Sequence, residues 1–486
     1  MLKKLSIIII LNVITIPFTG SLRSQSPDTL WTKTYGGSSW DYGRCVQQTN
    51  DVGYIITGFM SWSINFGLSL IKTDEYGDTT WSAGIESGEG YCVQQTYDGG
   101  YIVIGKRNGV LLYKTNEYGE TQWLKEIFEF TSMGDIHGRG YWGQETSDGF
   151  IITGEIQLYE PNGWDLLLIK TDFYGDTLWT RIYGRTSVDR GTYVQKTSDG
   201  GYIIVGTTAY YPKSFDIWLL KTDEFGDTLW TKTFGGYEYD FGESGQQTSD
   251  GGYIIVGRTT SYGAGRYDIW LIKTDEYGDT LWTKTYGGSE LDRGYSVLQT
   301  SDGGYIIAGS TESYGSGESD AWIIKTDAQG DTLWTKILGG VDFDLAYSIQ
   351  QTTDGGYIIS GHKDASEGLY FGDLWLIRLA PDSGLYINDS QKSLPEDFAL
   401  YQNYPNPFNL ETSIEYQIPE SRYVTLKIYN IAGQEVITLV NEHQNQGRYI
   451  VKLNGKNRER IMQSGLFLYR IEAGEYHQVK KLMLLK

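Results

Sequence analysis

The sequence predicts an all-β protein: a seven-bladed β-propeller of four-stranded blades, followed by a small β-sandwich. Three observations carry this. Nearly the same text recurs from residue 28 to residue 384, and its first-strand tryptophan returns at Trp31, Trp81, Trp123, Trp179, Trp230, Trp282 and Trp334. A fixed period near 50 residues is a propeller signature. Two tight-turn signals recur inside each unit, and from Phe398 onward the text changes altogether.

Each unit reads as four strands, shown by residues 279–330. They are L-W-T-K-T-Y, a short strand at Tyr295–Thr300, the apolar G-Y-I-I-A-G, and A-W-I-I-K-T. The third is apolar on both faces, as suits a strand sandwiched between neighbouring sheets. S-D-G-G before it and D-E-Y-G-D after the fourth are hairpin signals, with glycine where positive φ is required. Strand four therefore pairs with the next Trp strand, so a blade begins at the second strand of one unit and ends at the Trp strand of the next. This layout resembles the kelch and galactose-oxidase type of blade, although the diglycine lies before the third strand and not after it. The resemblance is one of shape.

The last unit runs from Leu374–Leu379 into a polar stretch with no Trp strand, while the Trp31 strand has no hairpin before it. Joining the two closes the ring and removes its exposed edges. The expected organisation is a signal peptide at 1–25, the propeller at 26–384, a linker at 385–397 and a second domain at 398–486. Lys3 and Lys4 followed by the apolar Leu5–Phe18 form the secretory signature, too short for a permanent membrane anchor. No other run approaches transmembrane length.

Charge is unevenly placed on this chain of net −21. Residues 381–486 hold 12 acids and 12 bases, whereas 26–380 hold 49 acids and 25 bases. So acidic a domain repels phosphate backbones, which argues against nucleic acid. The two cysteines, Cys45 and Cys92, occupy equivalent places in successive repeats and so point the same way; two buried thiols are expected.

Strand alternation puts the two hairpins of a blade on one face and its two longer loops on the other. An acid precedes each innermost strand: Asp41, Glu89, Asp135, Asp189, Asp240, Asp292 and Asp344. Arg190 and Arg293 follow two of them. With the loop aromatics Trp40, Trp62, Trp164, Tyr211 and Tyr262, these form the expected ligand site, because flat rings and carboxylates together suit sugars. The competing reading is that each Asp caps its own loop through backbone N–H groups. No catalytic constellation is legible, and His137 and His362 read as solvated loop residues. Calcium-loop spacing is absent, so no cofactor is expected, with calcium left open. Three functions stand: a monomeric binding or adhesion module for a glycan or a surface protein, a glycan lyase or hydrolase, and a passive extracellular scaffold.

The tail alternates in strands at Val424–Tyr429, Glu435–Val440 and Leu466–Ile471, which reads as a small β-sandwich. It carries Tyr404-Pro405-Asn406-Pro407-Phe408-Asn409, Ile428-Tyr429-Asn430, Gly433-Gln434, Leu439-Val440, Gly447, Ser464-Gly465, Tyr469-Arg470 and Ala473-Gly474. In these motifs it closely resembles the C-terminal sorting domain of type IX secretion substrates, an Ig-like domain. The resemblance implies Tyr404 to Phe408 as a sorting motif, the type IX machinery as partner, and delivery to the medium or the outer surface of a Gram-negative bacterium.

Overall fold

The computed structural model describes residues 26–37, 39–62, 65–128, 137–158, 163–184, 188–209, 214–365, 372–382, 398–401, 403, 412–444, 446–453, 465–474 and 476–484. Its elements are strands, and the chain divides into two compact units, Met1–Gly384 and Leu385–Lys486. Among the described residues no helix is long and apolar enough to cross a membrane.

The first unit is propeller-like. Among the described residues it holds seven four-stranded antiparallel sheets. Their first strands are Tyr42–Gln48, Glu89–Gln95, His137–Thr146, Arg190–Lys196, Asp240–Gln247, Asp292–Gln299 and Phe343–Gln351. Each packs against the first strands of the sheets before and after it, and the seventh meets the first, so these strands surround an axis. The Trp strands lie outermost, with every second residue turned to solvent, as in Thr280–Tyr286. Thr29–Tyr35 pairs antiparallel with Asp373–Leu379, setting Trp31 opposite Arg378 and Tyr35 opposite Leu374. The seventh sheet therefore joins both ends of the repeat region.

Repeated residues explain how sheets adhere. Gly77, Gly119, Gly175, Gly226, Gly278 and Gly330 have φ between 77° and 81°. The preceding sheet's tryptophan also covers each one: a Cβ at these positions would lie 2.6 to 2.9 Å from the ring of Trp31, Trp81, Trp123, Trp179, Trp230 or Trp282, or from a neighbouring side chain at that seam. Turn conformation and close approach both exclude a side chain there. A glutamine stitch runs below. Gln47, Gln94, Gln144, Gln195, Gln246 and Gln350 each accept, through Oε1, a backbone N–H of the adjoining first strand at 2.6 to 3.0 Å. Leu298 occupies the equivalent place in the sixth sheet.

The second unit contains two sheets. One comprises Ala399–Leu400, Thr412–Ile418 and Gly447–Leu453; the other comprises Arg422–Tyr429, Glu435–Gln444, Gly465–Ala473 and Tyr476–Leu484. Apolar side chains from both, among them Ile414, Tyr416, Leu426, Ile428, Ile471 and Leu482, share one core.

Candidate functional site

The acids of the expected site lie beneath the surface. Asp41, Asp240, Asp292 and Asp344 are fully buried, and Asp189 is 3% exposed. Each stands where a loop enters a first strand. The Oδ2 atoms of Asp41, Asp240, Asp292 and Asp344 accept N–H groups from Gly37, Gly236, Gly288 and Gly340 at 2.6 to 2.9 Å. Asp41 Oδ1 also takes the Ser61 N–H at 2.7 Å, and Asp344 Oδ1 the Asp364 N–H at 2.9 Å. Asp240 accepts the hydroxyls of Ser261, at 2.7 Å, and Thr259. These bonds hold loops in shape, as side-chain caps do. Asp135 is outside the described residues.

A second acid faces each of these across the seam between sheets. Asp373, Asp165, Asp216, Asp268 and Asp320 approach Asp41, Asp189, Asp240, Asp292 and Asp344 about the same loop glycine, as Asp216 and Asp240 do about Gly235. Burial, then the facing carboxylate, pushes Asp165 and Asp216 above the usual carboxylate range. Asp216 Oδ1 is buried and has no hydrogen-bond donor.

The other expected residues separate. Arg190 donates to Glu155 at 2.7 Å, which also receives Arg139 and Tyr141. Arg139 stacks over Trp164 at 4.6 Å. Trp40 is partly exposed and bridges to Gly372. Tyr262 packs on Trp270 with ring centroids 5.0 Å apart and donates to the Gly235 carbonyl. Arg293 is half-buried in the first strand Asp292–Gln299, within electrostatic reach of Tyr347. The side chains of Trp62 and Tyr211, and the motif Tyr404 to Phe408, lie outside the described residues.

His362 departs from expectation. It belongs to the strand Tyr357–Ala365, and its Nε2 is buried without a partner. Burial, reinforced by Arg44, pushes its imidazole down to about 4. His137 also sits in a strand, His137–Thr146. Cys45 and Cys92 are free buried thiols, each directed at a carbonyl of the following sheet, Val93 and Gly143.

A cleft lies on the hairpin face, between the second and third sheets. It has a volume of about 890 Å³. Tyr97, Trp123, Phe173 and Tyr174 bring four aromatic rings to it, and Gln122, Lys114, Lys125, Asp98 and Glu145 supply polar groups. Lys114 is bound to Asp98 at 2.9 Å, and Glu145 accepts the Tyr97 N–H at 2.8 Å, so part of the lining is braced. Phe173 meets Phe150 edge to face at 6.1 Å, which fixes one wall. Two of the rings break the repeat. Where Tyr97 stands, other units have Asn50, Ser147, Ser198, Ser249, Ser301 and Thr353; where Phe173 stands, they have Glu75, Glu117, Glu224, Glu276 and Ala328. Reading the hairpin face as uniform overlooked this cleft, and these two departures were its signal.

The geometry defines a propeller-like, all-β repeat unit joined to a two-sheet C-terminal unit. Residues 402–485 match the family of secretion system C-terminal sorting domains. The chain thus carries a type IX sorting domain, which marks it as an exported protein, secreted or held at the outer surface. Regulatory protein FlaEY of Caulobacter vibrioides is 28% identical over 112 residues, 20% of this chain. That match spans 12% of the relative's length. Among solved structures, a fungal AA5-family alcohol oxidase in complex with copper is 9% identical, with a TM-score of 0.48, over 95% of this chain and 100% of its own. Sqt1 of Saccharomyces cerevisiae is 10% identical, with a TM-score of 0.43, over 81% of this chain and 96% of its own. The Dos1 propeller is 10% identical, with a TM-score of 0.42, over 72% and 96%.

Proposed function

We propose that this chain is an exported carbohydrate-binding module: a seven-bladed propeller, kelch-like in layout, delivered by an Ig-like sorting domain at 398–486. The carrying observation is the cleft of Tyr97, Trp123, Phe173 and Tyr174. Tyr97 is 87% exposed and Tyr174 71%, a large apolar area to leave in water without a partner. Aromatic faces stack on the C–H side of a pyranose, while Gln122, Lys125 and Glu145 can meet its hydroxyls. Rings at the repeat's two variable positions are side chains the scaffold does not need, since other units fold with Ser or Glu in those places.

The test follows from that. Tyr97→Ser and Phe173→Glu install residues that neighbouring units already carry, so both variants keep the fold. On a glycan array the full chain binds a defined set of glycans, and the double variant loses at least 10-fold in affinity. Absence of glycan binding by the unaltered chain, or equal binding by the double variant, overturns the reading.

A further inference from the structure

Every first strand carries a β-bulge at the same level, and Phe343–Gln351 carries a second between Phe343 and Leu345. The register shifts fall between Gly43 and Cys45, Gly90 and Cys92, Gly140 and Trp142, Gly191 and Tyr193, Gly242 and Ser244, Gly294 and Ser296, and Ala346 and Ser348. A bulge leaves one residue outside the ladder and re-aims its side chain. The side chains so released meet one another around the axis. Tyr295 lies 5.1 Å from Tyr347 between ring centroids, Arg44 stands 4.4 Å over Tyr347 and 5.8 Å from Tyr91, and Tyr91 is 5.2 Å from Tyr141. Thr192 and Glu243 complete the ring. Just beyond it is an axial cavity of about 160 Å³ lined from all seven first strands, with Trp142, Tyr193, Ser244, Ser296 and Ser348 in its wall.

Arg44 is out of balance in this ring. Its Nε is fully shielded from solvent and has no hydrogen-bond partner. Three tyrosine faces hold it: Tyr347, Tyr42 at 4.8 Å and Tyr91. The nearby carboxylate, Glu89, is already engaged by Lys106 at 2.6 Å, by Tyr91 at 2.9 Å and by Tyr42. His362, the other titratable group facing Arg44, is kept neutral at physiological pH by burial and by Arg44 itself. Three other cations at this end have acids: Arg139 and Arg190 share Glu155, and Arg258 pairs with Glu243. A guanidinium offers fixed donors that suit a carboxylate or phosphate.

We infer that the axial channel binds a small oxyanion, a carboxylate or phosphate group, on the guanidinium of Arg44, with the Tyr295–Tyr347 arc beside it. The inference rests on the channel and is independent of the outer cleft.

The full chain is titrated with inorganic phosphate, acetate and glucuronate at constant ionic strength, against chloride, with thermal melting and calorimetry as readouts. At least one oxyanion raises the melting temperature saturably, and the three probes separate phosphate, simple carboxylate and sugar acid. Arg44→Gln weakens that response at least 10-fold, and the double variant Tyr295→Phe, Tyr347→Phe weakens it about 3-fold. A response no greater than chloride gives, or an equal response in Arg44→Gln, overturns the assignment. Should Arg44→Gln not fold, unchanged affinity in the tyrosine double variant overturns it instead.

Discussion

The ammonium of Lys325 lies 2.8 Å from Asp302 Oδ2, joining the third strand of a sheet to the hairpin between its first and second. The lysine side chain is 1% exposed and the aspartate 54%. The arrangement recurs as Lys72–Asp51, Lys114–Asp98, Lys170–Asp148, Lys221–Asp199 and Lys273–Asp250, with Arg378–Asp354 in the seventh sheet. Each lysine also donates to the carbonyl of the following threonine, as Lys325 does to Thr326. Asp302→Ala leaves a buried ammonium with the Thr326 carbonyl as its remaining partner. The cost is about 1–3 kcal/mol, below that of a fully buried pair because the aspartate is half in water. Lys325→Met costs less, and the double variant less than the sum of the two. Urea unfolding of all three measures it.

The same ties set the acid limit of the propeller-like unit. Burial pushes Asp302 up, but the hydrogen bonds from Lys325 and Thr300 outweigh it and hold the carboxyl below its usual range. Asp51, Asp98, Asp148, Asp199, Asp250 and Asp354 shift the same way. A depressed carboxylate stabilises the fold above its unfolded pKa, near 3.9, and that stability is lost as pH falls through the folded value. Unfolding free energy should therefore drop steeply below about pH 4, and Asp302→Asn should make the drop shallower.

At the seam between the fourth and fifth sheets, two neighbouring aspartates should answer the same substitution with opposite signs. Asp216 is raised by burial and by Asp240, so its charge destabilises the fold at neutral pH. Asp216→Asn removes that charge and supplies a donor, for a gain of about 1 kcal/mol. Asp240 accepts the Gly236 N–H and two hydroxyls, so Asp240→Asn turns one acceptor into a donor and loses about 1–2 kcal/mol. Paired thermal melts at pH 7 read both signs.

His362 adds a third pH effect. Its pKa is about 4 in the folded chain against an ordinary 6.5, so the folded state binds fewer protons between those values. Stability from this group is present above pH 6.5 and is lost as pH falls toward 4. His362→Gln should flatten the stability profile across that window; an unchanged slope would show that the imidazole titrates normally.

Much of this architecture is legible in the residues. Which strands share a sheet follows from the two hairpin signals, and the pairing of the Trp31 strand with Leu374–Leu379 follows from a strand lacking at one end and spare at the other. The turn glycines were readable as conformational necessities, though not as seats for the tryptophans of the preceding sheet. Arg44 was not legible as an axial residue, because a bulge is a property of pairing and leaves no mark on hydropathy. Nor could Asp41 or Asp240 be separated from ligand-binding acids by composition: a loop cap and a binding carboxylate are the same side chain in the same kind of loop, and burial decides between them. Tyr97 and Phe173 were visible as departures from the repeat, but only their convergence in space gives the departures meaning.

The seventh sheet takes one strand from Thr29–Tyr35 and three from residues made last in the repeat region. An open solenoid can grow and fray one repeat at a time, with roughly additive stability. This ring cannot. As the chain emerges, its first strand must wait as an unmatched edge while six sheets assemble, and nothing is locked until Leu379 arrives opposite Thr29. The closing step is thus tied to completion of the repeat region. A chain truncated anywhere inside it would leave two raw edges, open to pairing with other chains.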